Sequence, residues 1–484
     1  MEKAEVIFIP GPGMGHLVPA LEFGKLLTKQ DKNLSILFLI INLPYNTGIN
    51  PLTLSNLVQN HPQITFLNIP YITTSNQDSE KSKLRSVAAV KLIERSKSQV
   101  KDAIFGLITN FKNTRIAGIF VDIFCCGMID LANEFELPSY LFFTCSAGFL
   151  GLLLYSQTLK DDFNQDISDI SDYKDTDSEI LVPGFTNPVP AKVLPIQMLD
   201  KNVFQEIVLP LPRKIPQTNG IILNTFLDLE SNTIKSLAEN YEKIPKIYPI
   251  GPIINHNGTF DDEIMGWLDK QPLGSVVFLC FGSLGSFNKD QVNEIALALE
   301  RCGCRYLWSL RRPPAKGEIS APESYDNPDE ILPKGFLERT SGVGKVIGWA
   351  PQAAILGHQA VGGFISHCGW NSILESLWFG VPIAAWPLSA EQQLNAFEMV
   401  KELGISVEIK MDYRHDENME SKVIVSAEEI EKGIKNLMMD ETKNELRKKV
   451  KELKEKCQKA MMEDGSSYNF LSHLIDDVLE NIQK

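Results

Sequence analysis

The 484-residue sequence has little of what nucleic-acid-binding proteins and disulfide-stabilised proteins need. Basic residues are the minority, with 47 Lys and Arg against 61 Asp and Glu, and the formal net charge is −14. A protein that neutralises phosphates needs a basic face, so this balance argues against a nucleic-acid partner. The eight cysteines are scattered, without the spacing of a zinc site or of a disulfide framework. They predict reduced, buried thiols.

Long apolar runs are also lacking. The first apolar run stops at Pro10, too short for the core of a signal peptide, and the stretch 138–155 is interrupted by Ser and Thr and is too short for a membrane span. We therefore expect a cytosolic protein without stable membrane insertion. With 32 Gly and 27 Pro, the sequence is not collagenous or of low complexity, and its length predicts two large domains.

Strands and helices are predicted to alternate along the chain. The pattern starts at residue 5 and begins again after the Pro- and Gly-rich stretch 247–252. It predicts an α/β fold of two facing, Rossmann-like doubly wound domains. The predicted strands are 5–9, 35–41, 117–121, 139–143, 220–224, 275–280, 306–310, 345–347, 363–366 and 382–385, and the predicted helices are 18–29, 128–135, 291–301, 446–461 and 468–482.

The predicted division is a first domain over 1–247, a linker over 248–262, a second domain over 263–462 and a terminal helical segment over 463–484. Two polar stretches are expected to be mobile surface excursions, 161–179 and 313–333. The first holds eight acids and one Lys, which is half of the net charge.

The loop after the first strand reads Gly11-Pro-Gly-Met-Gly-His16. A dinucleotide fingerprint would have Gly in place of His16 and an acid after the second strand, where the sequence has Asn42, so a nicotinamide oxidoreductase is disfavoured. The glycines place His16 near a helix N-terminus, where the dipole favours the neutral imidazole of a general base. The alternative is a loop histidine without a chemical role.

Asp122 ends the predicted strand 117–121, at the edge where doubly wound sheets bind ligands. Because a buried carboxylate needs a partner, Asp122 is expected to orient His16 and to stabilise it when protonated. A helix-capping role for Asp122 is an equal alternative.

The loop Gly282-Ser-Leu-Gly285 follows a predicted strand and lacks the Gly-x-Ser-x-Gly spacing of hydrolases. Small residues between a strand and a helix expose backbone N–H groups and a hydroxyl, so Ser283 is a candidate phosphate ligand. A tight turn without a ligand is the alternative.

Residues 349–392 contain Trp-Ala-Pro-Gln, then His-Cys-Gly-Trp-Asn-Ser and finally Glu-Gln. This stretch resembles the signature box of plant secondary-product UDP-glycosyltransferases, in family 1 of the glycosyltransferases, which have the GT-B fold. The early Gly-x-Gly-x-Gly-His, the Val121-Asp122 strand end and Phe281-Gly-Ser283 occur in the expected order, so the resemblance covers essentially the whole chain. The group acting on flavonoids, triterpenoids and other phenols or alcohols is the most similar.

The resemblance implies a donor site for UDP-glucose. Trp349 would stack on uracil, Ala350 would pair with the base edge, and Gln352 and Glu375 would bind the ribose. The diphosphate would be held by Ser283, His367, Asn371 and Ser372 in place of a metal ion. Trp370, Glu391, Gln392 and, from the first domain, Thr144 would contact the sugar, and Gly15 belongs to the donor set. Gln392 favours glucose, since His at this position accompanies galactose.

The resemblance also implies the reaction and its partners. His16, balanced by Asp122, would deprotonate an acceptor hydroxyl that attacks the sugar with inversion, without a cofactor or metal, in a monomer. The first domain would bind a small apolar acceptor, a flavonoid, another phenolic or a triterpenoid, through Ile123, Phe124, Phe143, Phe149, Met198 and Leu199, which are equally plausible as core residues. A sugar-nucleotide-binding protein without turnover is the second hypothesis.

Overall fold

The computed structural model describes residues 4–45, 47, 54, 58, 61–71, 85–110, 115–169, 177–241, 243–255, 261–315, 318, 320–414, 423–439 and 445–481. Within them the strands are β1 Ala4–Ile9, β2 Leu34–Ile41, β3 Ile64–Ile69, β4 Arg115–Asp122, β5 Ser139–Phe143, β6 Glu179–Ile180, β7 Val189–Pro190, β8 Gly220–Leu223, β9 Lys246–Pro249, β10 Val276–Cys280, β11 Arg305–Ser309, β12 Arg311–Arg312, β13 Glu323–Ser324, β14 Gly344–Ile347, β15 Val361–Ser366, β16 Ile383–Ala385 and β17 Ser406–Glu408.

Helices occupy most of the connections between these strands. Within the same residues the α-helices are α1 Met14–Gln30, α2 Arg85–Arg95, α3 Lys97–Asn110, α4 Ile129–Glu134, α5 Ala147–Phe163, α6 Ile196–Leu199, α7 Lys201–Val203, α8 Pro210–Lys214, α9 Leu227–Asn240, α10 Asp262–Leu268, α11 Lys289–Cys302, α12 Phe336–Arg339, α13 Gln352–Leu356, α14 Trp370–Phe379, α15 Gln392–Phe397, α16 Ala427–Leu437, α17 Glu445–Ala460 and α18 Ser466–Glu480. No helix of the described part of the chain is both long and apolar enough to span a membrane.

Thirteen of these strands form two parallel sheets with the same order of their first six strands, and β6-β7 and β12-β13 form two small antiparallel sheets. The first has the order β3-β2-β1-β4-β5-β8-β9 and the second the order β14-β11-β10-β15-β16-β17. Their central strands are runs of Val, Ile, Leu and Phe with both faces buried, as parallel sheets covered by helices require. In each sheet the strand order reverses beside its first strand, between β1 and β4 and between β10 and β15. Doubly wound folds bind ligands at this switch point, and the predicted α/β fold with two such domains is confirmed.

The chain divides into two compact units, one formed by 1–169, 200–253 and 459–484 and the other by 170–199 and 254–458. Helix α18 packs on the first unit, where Ser467 donates to the carbonyl of Gly251 at 2.6 Å and Asn481 donates to the Tyr140 hydroxyl at 2.9 Å. Leu471 and Leu474 complete the same apolar core.

The segment 177–199 lies in the second unit, although the division expected at residue 247 placed it in the first domain. Its described residues contact the second unit: the backbone N–H groups of Thr186 and Asn187 donate to the carboxylate of Glu402 at 2.8 and 2.7 Å. Phe185 packs on Phe397 with ring centroids 6.0 Å apart. These contacts join the segment to the second unit although it precedes the linker in the sequence.

The polar stretch 161–179 contains more secondary structure than expected in the residues that the structure describes. Helix α5 continues to Phe163, and the carboxylate of Asp166 accepts hydrogen bonds from the Ser168 backbone at 3.0 Å and from Lys160 at 3.1 Å. Although burial acts in the opposite direction, these hydrogen bonds lower the pKa of Asp166 to about 2. Residues 161–163 and 167–169 are therefore helical, and residues 170–176 of the expected excursion lie outside the described part of the chain.

Candidate active site

The first switch point brings His16 and Asp122 together. His16 lies in the first turn of α1, whose N-cap is Gly13, and Asp122 is the last residue of β4. Nδ1 of His16 is 2.8 Å from Oδ2 of Asp122, and the side chains are 22% and 1% exposed. The buried carboxylate therefore has the partner that its burial requires, and the imidazole remains accessible.

Asp122 fills both roles that the sequence left open. Its Oδ2 faces His16, while its Oδ1 accepts the N–H of Phe124 at 2.9 Å and caps the 3-10 helix Ile123–Met128. A carboxylate held at both oxygens has little freedom to rotate. Since a carboxylate accepts hydrogen bonds, the neutral His16 carries its proton on Nδ1 and presents Nε2 as the basic atom.

Gly11 allows this close approach. A Cβ at position 11 would lie 2.7 Å from Oδ1 of Asp122 and 3.2 Å from the His16 ring. Any side chain here would push the pair apart. The first glycine of the loop is thus explained by the close approach of His16 and Asp122.

Thr144 lies beside the same pair. Its Oγ1 is 3.3 Å from Nδ1 of His16, and it follows β5, the strand next to β4. Phe124 lies on another side of the imidazole with ring centroids 4.8 Å apart. Gly15 is exposed one residue before the histidine.

The predicted acceptor residues differ in exposure. Ile123, Phe143 and Met198 are buried core side chains. Phe124, Phe149 and Leu199 are partly exposed, and Phe143 and Phe149 lie 6.1 Å apart by their ring centroids. Met198 and Leu199 belong to the segment that packs with the second unit. Phe124, in contact with His16, is the member of this set that the structure brings to the His16–Asp122 pair.

The second switch point is built around His367, which directly follows β15. Gly282, after β10, has φ +76°, and a Cβ on it would lie 2.5 Å from Nε2 of His367. A Cβ on Gly369 would meet the same nitrogen at 2.5 Å. The imidazole therefore lies between two glycines that no larger residue can replace without displacing it.

His367 remains neutral. Burial lowers its pKa to about 4, and its Nδ1 has no hydrogen-bond partner among the described residues. Cys368 holds φ +61°, a conformation that is rare without glycine, and is fixed by the Oγ of Ser366 at 3.2 Å and by Asn395 at 3.0 Å. This loop orients a neutral imidazole with a buried, unsatisfied nitrogen, which is what a binding site for a polar ligand provides.

Helix α14 begins directly after that loop. Its N-cap is Gly369, without a side-chain cap, and Asn371 and Ser372 lie in the first turn, so its backbone N–H groups point to the same region as His367. Ser283 follows Gly282 on the neighbouring strand end. Trp370, the first residue of the helix, is 2% exposed.

Trp349 is 54% exposed, unlike the other five tryptophans, which are buried or partly buried. The guanidinium of Arg311 lies 5.1 Å from the centre of its ring, and Arg311 donates to the carbonyl of Pro322 in the β12-β13 hairpin. Ala350 is buried beside it. The ring is thus supported on one side by a cation–π contact, and the exposed remainder can stack on a flat ligand.

Glu375 and Gln352 form a hydrogen-bonded pair. Nε2 of Gln352 donates to the Glu375 carboxylate at 2.7 Å and to the Ser372 hydroxyl at 2.9 Å. Burial raises the pKa of Glu375 to about 7, opposed by the hydrogen bond from Gln352. The carboxylate and the Gln352 carbonyl oxygen are the acceptors of this group.

Gln392 begins helix α15, for which Glu391 is the N-cap residue. Its side-chain oxygen accepts the backbone N–H groups of Leu388 and Ser389 at 2.9 and 3.0 Å. This anchoring fixes the amide plane and directs the NH₂ group away from the loop. Gln392 is thereby oriented as a hydrogen-bond donor.

A surface groove of about 830 Å³ lies elsewhere on the second unit, between Lys289 and Glu338. None of the predicted site residues lines this groove. Its lining includes five carboxylates, those of Glu294, Glu300, Asp329, Glu330 and Glu338. Such a lining disfavours an anionic ligand, so this groove is not a donor site.

Sequence reasoning missed Arg311 and Asn395. Arg311 follows the end of β11, the strand beside β10. A charged residue just after a strand that ends near the switch point could have indicated a ligand-binding role. Asn395 is one helical turn after Gln392, which the sequence had singled out. Within the described residues, no group of three or more His, Cys, Asp or Glu side chains is arranged to hold a metal ion.

Comparison with known proteins adds independent evidence. Residues 264–447 match the family model described as UDP-glucoronosyl and UDP-glucosyl transferase. UDP-glycosyltransferase 101 of Panax ginseng is 49% identical, over 99% of this chain and 100% of the relative.

Two solved structures have the same fold as this chain over nearly its whole length. UGT71G1 of Medicago truncatula, complexed with UDP-glucose, is 41% identical with a TM-score of 0.86, and 98% of each chain is covered. UGT2 of Phytolacca americana, complexed with UDP-2fluoro-glucose and pterostilbene, is 30% identical with a TM-score of 0.82, over 98% of this chain and 99% of that one.

Proposed function

The chain belongs to the family of UDP-glucuronosyl and UDP-glucosyl transferases and is a glycosyltransferase, and from that premise we propose that it transfers glucose from UDP-glucose to a hydroxyl of a small apolar acceptor. The product is an O-β-glucoside, formed by inversion. The observation that carries the proposal is the 2.8 Å hydrogen bond between His16 and the buried Asp122 at the first switch point.

His16 acts as the general base in this proposal. Nε2 takes the proton of the acceptor hydroxyl as its oxygen attacks the anomeric carbon, and the Asp122 carboxylate stabilises the imidazolium that forms. Because the carboxylate is held at both oxygens, the imidazole does not have to be reoriented during the reaction.

The donor is bound by the residues of the second switch point. Trp349 stacks on uracil, supported from the other side by Arg311, and Ala350 pairs with the base edge. The ribose hydroxyls donate to Glu375 and to the carbonyl oxygen of Gln352.

The negative charge that develops on the leaving UDP is stabilised by His367, Ser283 and the N-terminus of α14 with Asn371 and Ser372. A neutral His367 serves here as a hydrogen-bond donor. No metal ion takes part in this proposal, so a chelator should leave the rate unchanged.

Glucose is favoured by the orientation of Gln392, whose fixed NH₂ group donates to sugar hydroxyls. Glu391, Trp370 and Thr144 complete the proposed sugar contacts, with Gly15 in the donor set. For the acceptor we propose a flavonoid, another phenol or a triterpenoid, with Phe124 and Phe149 in contact with it. The Phytolacca structure with pterostilbene supports a phenolic acceptor.

We also propose that the enzyme acts as a monomer in the cytosol. All eight cysteines are free thiols, as a reducing compartment requires.

The test is incubation with UDP-glucose and a panel of flavonoids, simple phenols, aliphatic alcohols and triterpenoids. The expected product is heavier by one hexose, with the anomeric proton coupling of a β-glucoside in its NMR spectrum. Binding of UDP-glucose by calorimetry without transfer to any acceptor would instead support a sugar-nucleotide-binding protein. An α-glucoside would refute inversion.

A further inference from the structure

Two of the eight cysteines differ from the others in exposure. Cys125, Cys126, Cys145, Cys280, Cys368 and Cys457 are buried, whereas Cys302 and Cys304 are partly exposed. These two are separated by a single residue, Gly303, and lie in the second unit away from the donor residues. A reagent in solution therefore meets these two thiols first, and it meets them as a pair.

The turn between them brings the two thiols together. Helix α11 ends at Cys302, and Gly303 has φ +58°, the left-handed conformation that ends helices, with its N–H bonded to the carbonyl of Glu300 at 3.3 Å. Strand β11 starts at Arg305 directly afterwards. The two thiols interact with each other across this turn, and each shifts the pKa of the other.

A residue in such a turn holds its flanking Cα atoms ~5.5 Å apart, which is within the range that a disulfide spans. The Cα separation therefore does not prevent a bond between the two sulfurs. The glycine between them has no side chain to oppose rotation of either thiol.

The surroundings favour a thiolate at Cys302. The interaction with the Cys304 thiol lowers the pKa of Cys302, helped by the Lys435 ammonium and opposed by burial and by Glu431. The same interaction, together with burial, raises the pKa of Cys304, so Cys302 is the thiol that ionises first. Sγ of Cys302 also lies 3.8 Å from the carbonyl of Glu431, on helix α16. At the buried positions burial acts alone or dominates, and it raises the pKa of Cys280 to about 11 and of Cys368 and Cys457 to about 12.

We propose that Cys302 and Cys304 form a redox-labile dithiol that small disulfides oxidise to an intramolecular disulfide. The Cys302 thiolate attacks one sulfur of a low-molecular-weight disulfide such as oxidised glutathione, and the other sulfur leaves as a thiolate. The Cys304 thiolate then attacks Sγ of Cys302 and displaces the second small thiol. Overall, two protein thiols are oxidised, one small disulfide is reduced to two thiols, and two protons pass to the leaving groups.

The pair is tested on the folded, full-length protein equilibrated in buffers with different ratios of reduced to oxidised glutathione. After remaining thiols are blocked with N-ethylmaleimide and the protein is digested with trypsin, cleavage after Arg301 and Arg305 releases both cysteines on one short peptide. We expect this peptide to be unlabelled and lighter by two hydrogen atoms in oxidising buffer. Cys302 should react about a hundredfold faster than any buried cysteine.

Single substitutions separate the roles of the two thiols. Cys304→Ser should stop the reaction at a stable glutathione adduct on Cys302, whereas Cys302→Ser should slow adduct formation at Cys304 by about tenfold or more. Both variants should fold and keep wild-type turnover when reduced, since neither thiol lies in the proposed site. Full labelling of both cysteines in oxidising buffer, or equal adduct rates at the two positions, would overturn the proposal.

Discussion

Each unit has a histidine at the switch point of its sheet, but the two histidines follow different strands and have opposite environments. His16 follows the first strand of its sheet, is partly exposed and is hydrogen-bonded to the Asp122 carboxylate. His367 follows the strand on the other side of the switch point in its sheet, is enclosed by Gly282 and Gly369, and is paired with no carboxylate in the described residues. Burial keeps its pKa near 4, so it stays neutral at any ordinary pH.

The difference shows how one fold provides two chemistries at its switch points. A carboxylate behind an imidazole stabilises the protonated ring and makes a base. Burial without a carboxylate penalises the protonated ring and leaves a hydrogen-bond donor next to a helix N-terminus. The expected variant effects separate these two roles.

The largest effect is expected for His16→Ala. With an aliphatic alcohol as the acceptor, loss of the base should reduce kcat by about 10³- to 10⁴-fold, while the dissociation constant for UDP-glucose stays the same. A phenol should lose less, since its pKa near 10 allows some ionisation without a base. Substitution of the exposed His473 by Ala is the matched control and should change neither value. Wild-type turnover of the alcohol by His16→Ala would exclude His16 as the base.

Asp122→Asn should reduce kcat by about 10²- to 10³-fold. The amide can still accept the Phe124 N–H, so the local fold is kept, but an NH₂ facing Nδ1 favours the tautomer with the proton on Nε2. Kinetic assays give the rate, and ¹⁵N NMR of the histidine ring nitrogens gives the tautomer. An unchanged tautomer together with an unchanged rate would contradict the role of Asp122.

His367→Ala should reduce kcat by about 10²-fold, because a donor to the developing charge on UDP is lost. The loss should be the same for phenols and for aliphatic alcohols, unlike that of His16→Ala. If the loss depends on the acceptor pKa, then His367 acts on the proton and the contrast between the two histidines fails.

The same variant has a second readout in acid stability. An unfolded histidine takes up a proton near pH 6.5, whereas folded His367 remains neutral until about pH 4, so between these values the unfolded chain binds more protons. Stability is therefore lost as the pH falls through this window, by about 3 kcal/mol from this group. Thermal unfolding across the window should show a smaller loss in His367→Ala than in the wild type.

Glu375→Gln should weaken UDP-glucose binding by about tenfold above pH 7. With its pKa raised to about 7 by burial, the carboxyl of Glu375 is partly protonated at neutral pH, and ribose hydroxyls donate to the ionised form. The affinity of the wild type should thus increase as the pH rises through about 7, and the variant should show no such dependence. Calorimetry with UDP-glucose alone measures both. A pH dependence that persists in the variant would assign the titration to another group.

The smallest effect is expected for Arg311→Met, which keeps the side-chain volume but removes the cation over Trp349. UDP-glucose binding should weaken about threefold to tenfold, and kcat should not change. Arg311→Lys, which keeps the charge, is the matched control and should lose less. Equal losses for Met and Lys would indicate packing in place of a cation–π contact.

Much of this organisation could be predicted from the sequence because it depends on local patterns. The alternation of apolar runs and Gly-rich loops predicted both sheets. The position of Asp122 at a strand end predicted its contact with His16, which is 106 positions away in the sequence. Spacing alone could not show that Nε2 of Gln352 joins Ser372 to Glu375. It also could not predict the contact between Arg311 and Trp349, since that contact depends on the hairpin formed by the short strands β12 and β13.

The acceptor residues show why apolar side chains were harder to assign. Ile123 and Phe143 have the same character as Phe124 and Phe149, and a residue next to a strand end can point into the core or out of it. The segment 177–199 was placed with the first domain by its position in the chain. Its partners, Glu402 and Phe397, are more than two hundred residues later, and no local pattern reveals them.

The docking of helix α18 affects how the protein is made. Leu471, Leu474, Ile475 and Val478 complete the core around β1, β4 and β9, and Asp477 binds Lys246 at 2.6 Å. A ribosome that has finished the first sheet has not yet synthesised these residues. The first unit therefore keeps this apolar surface uncovered until nearly the entire second unit has been translated.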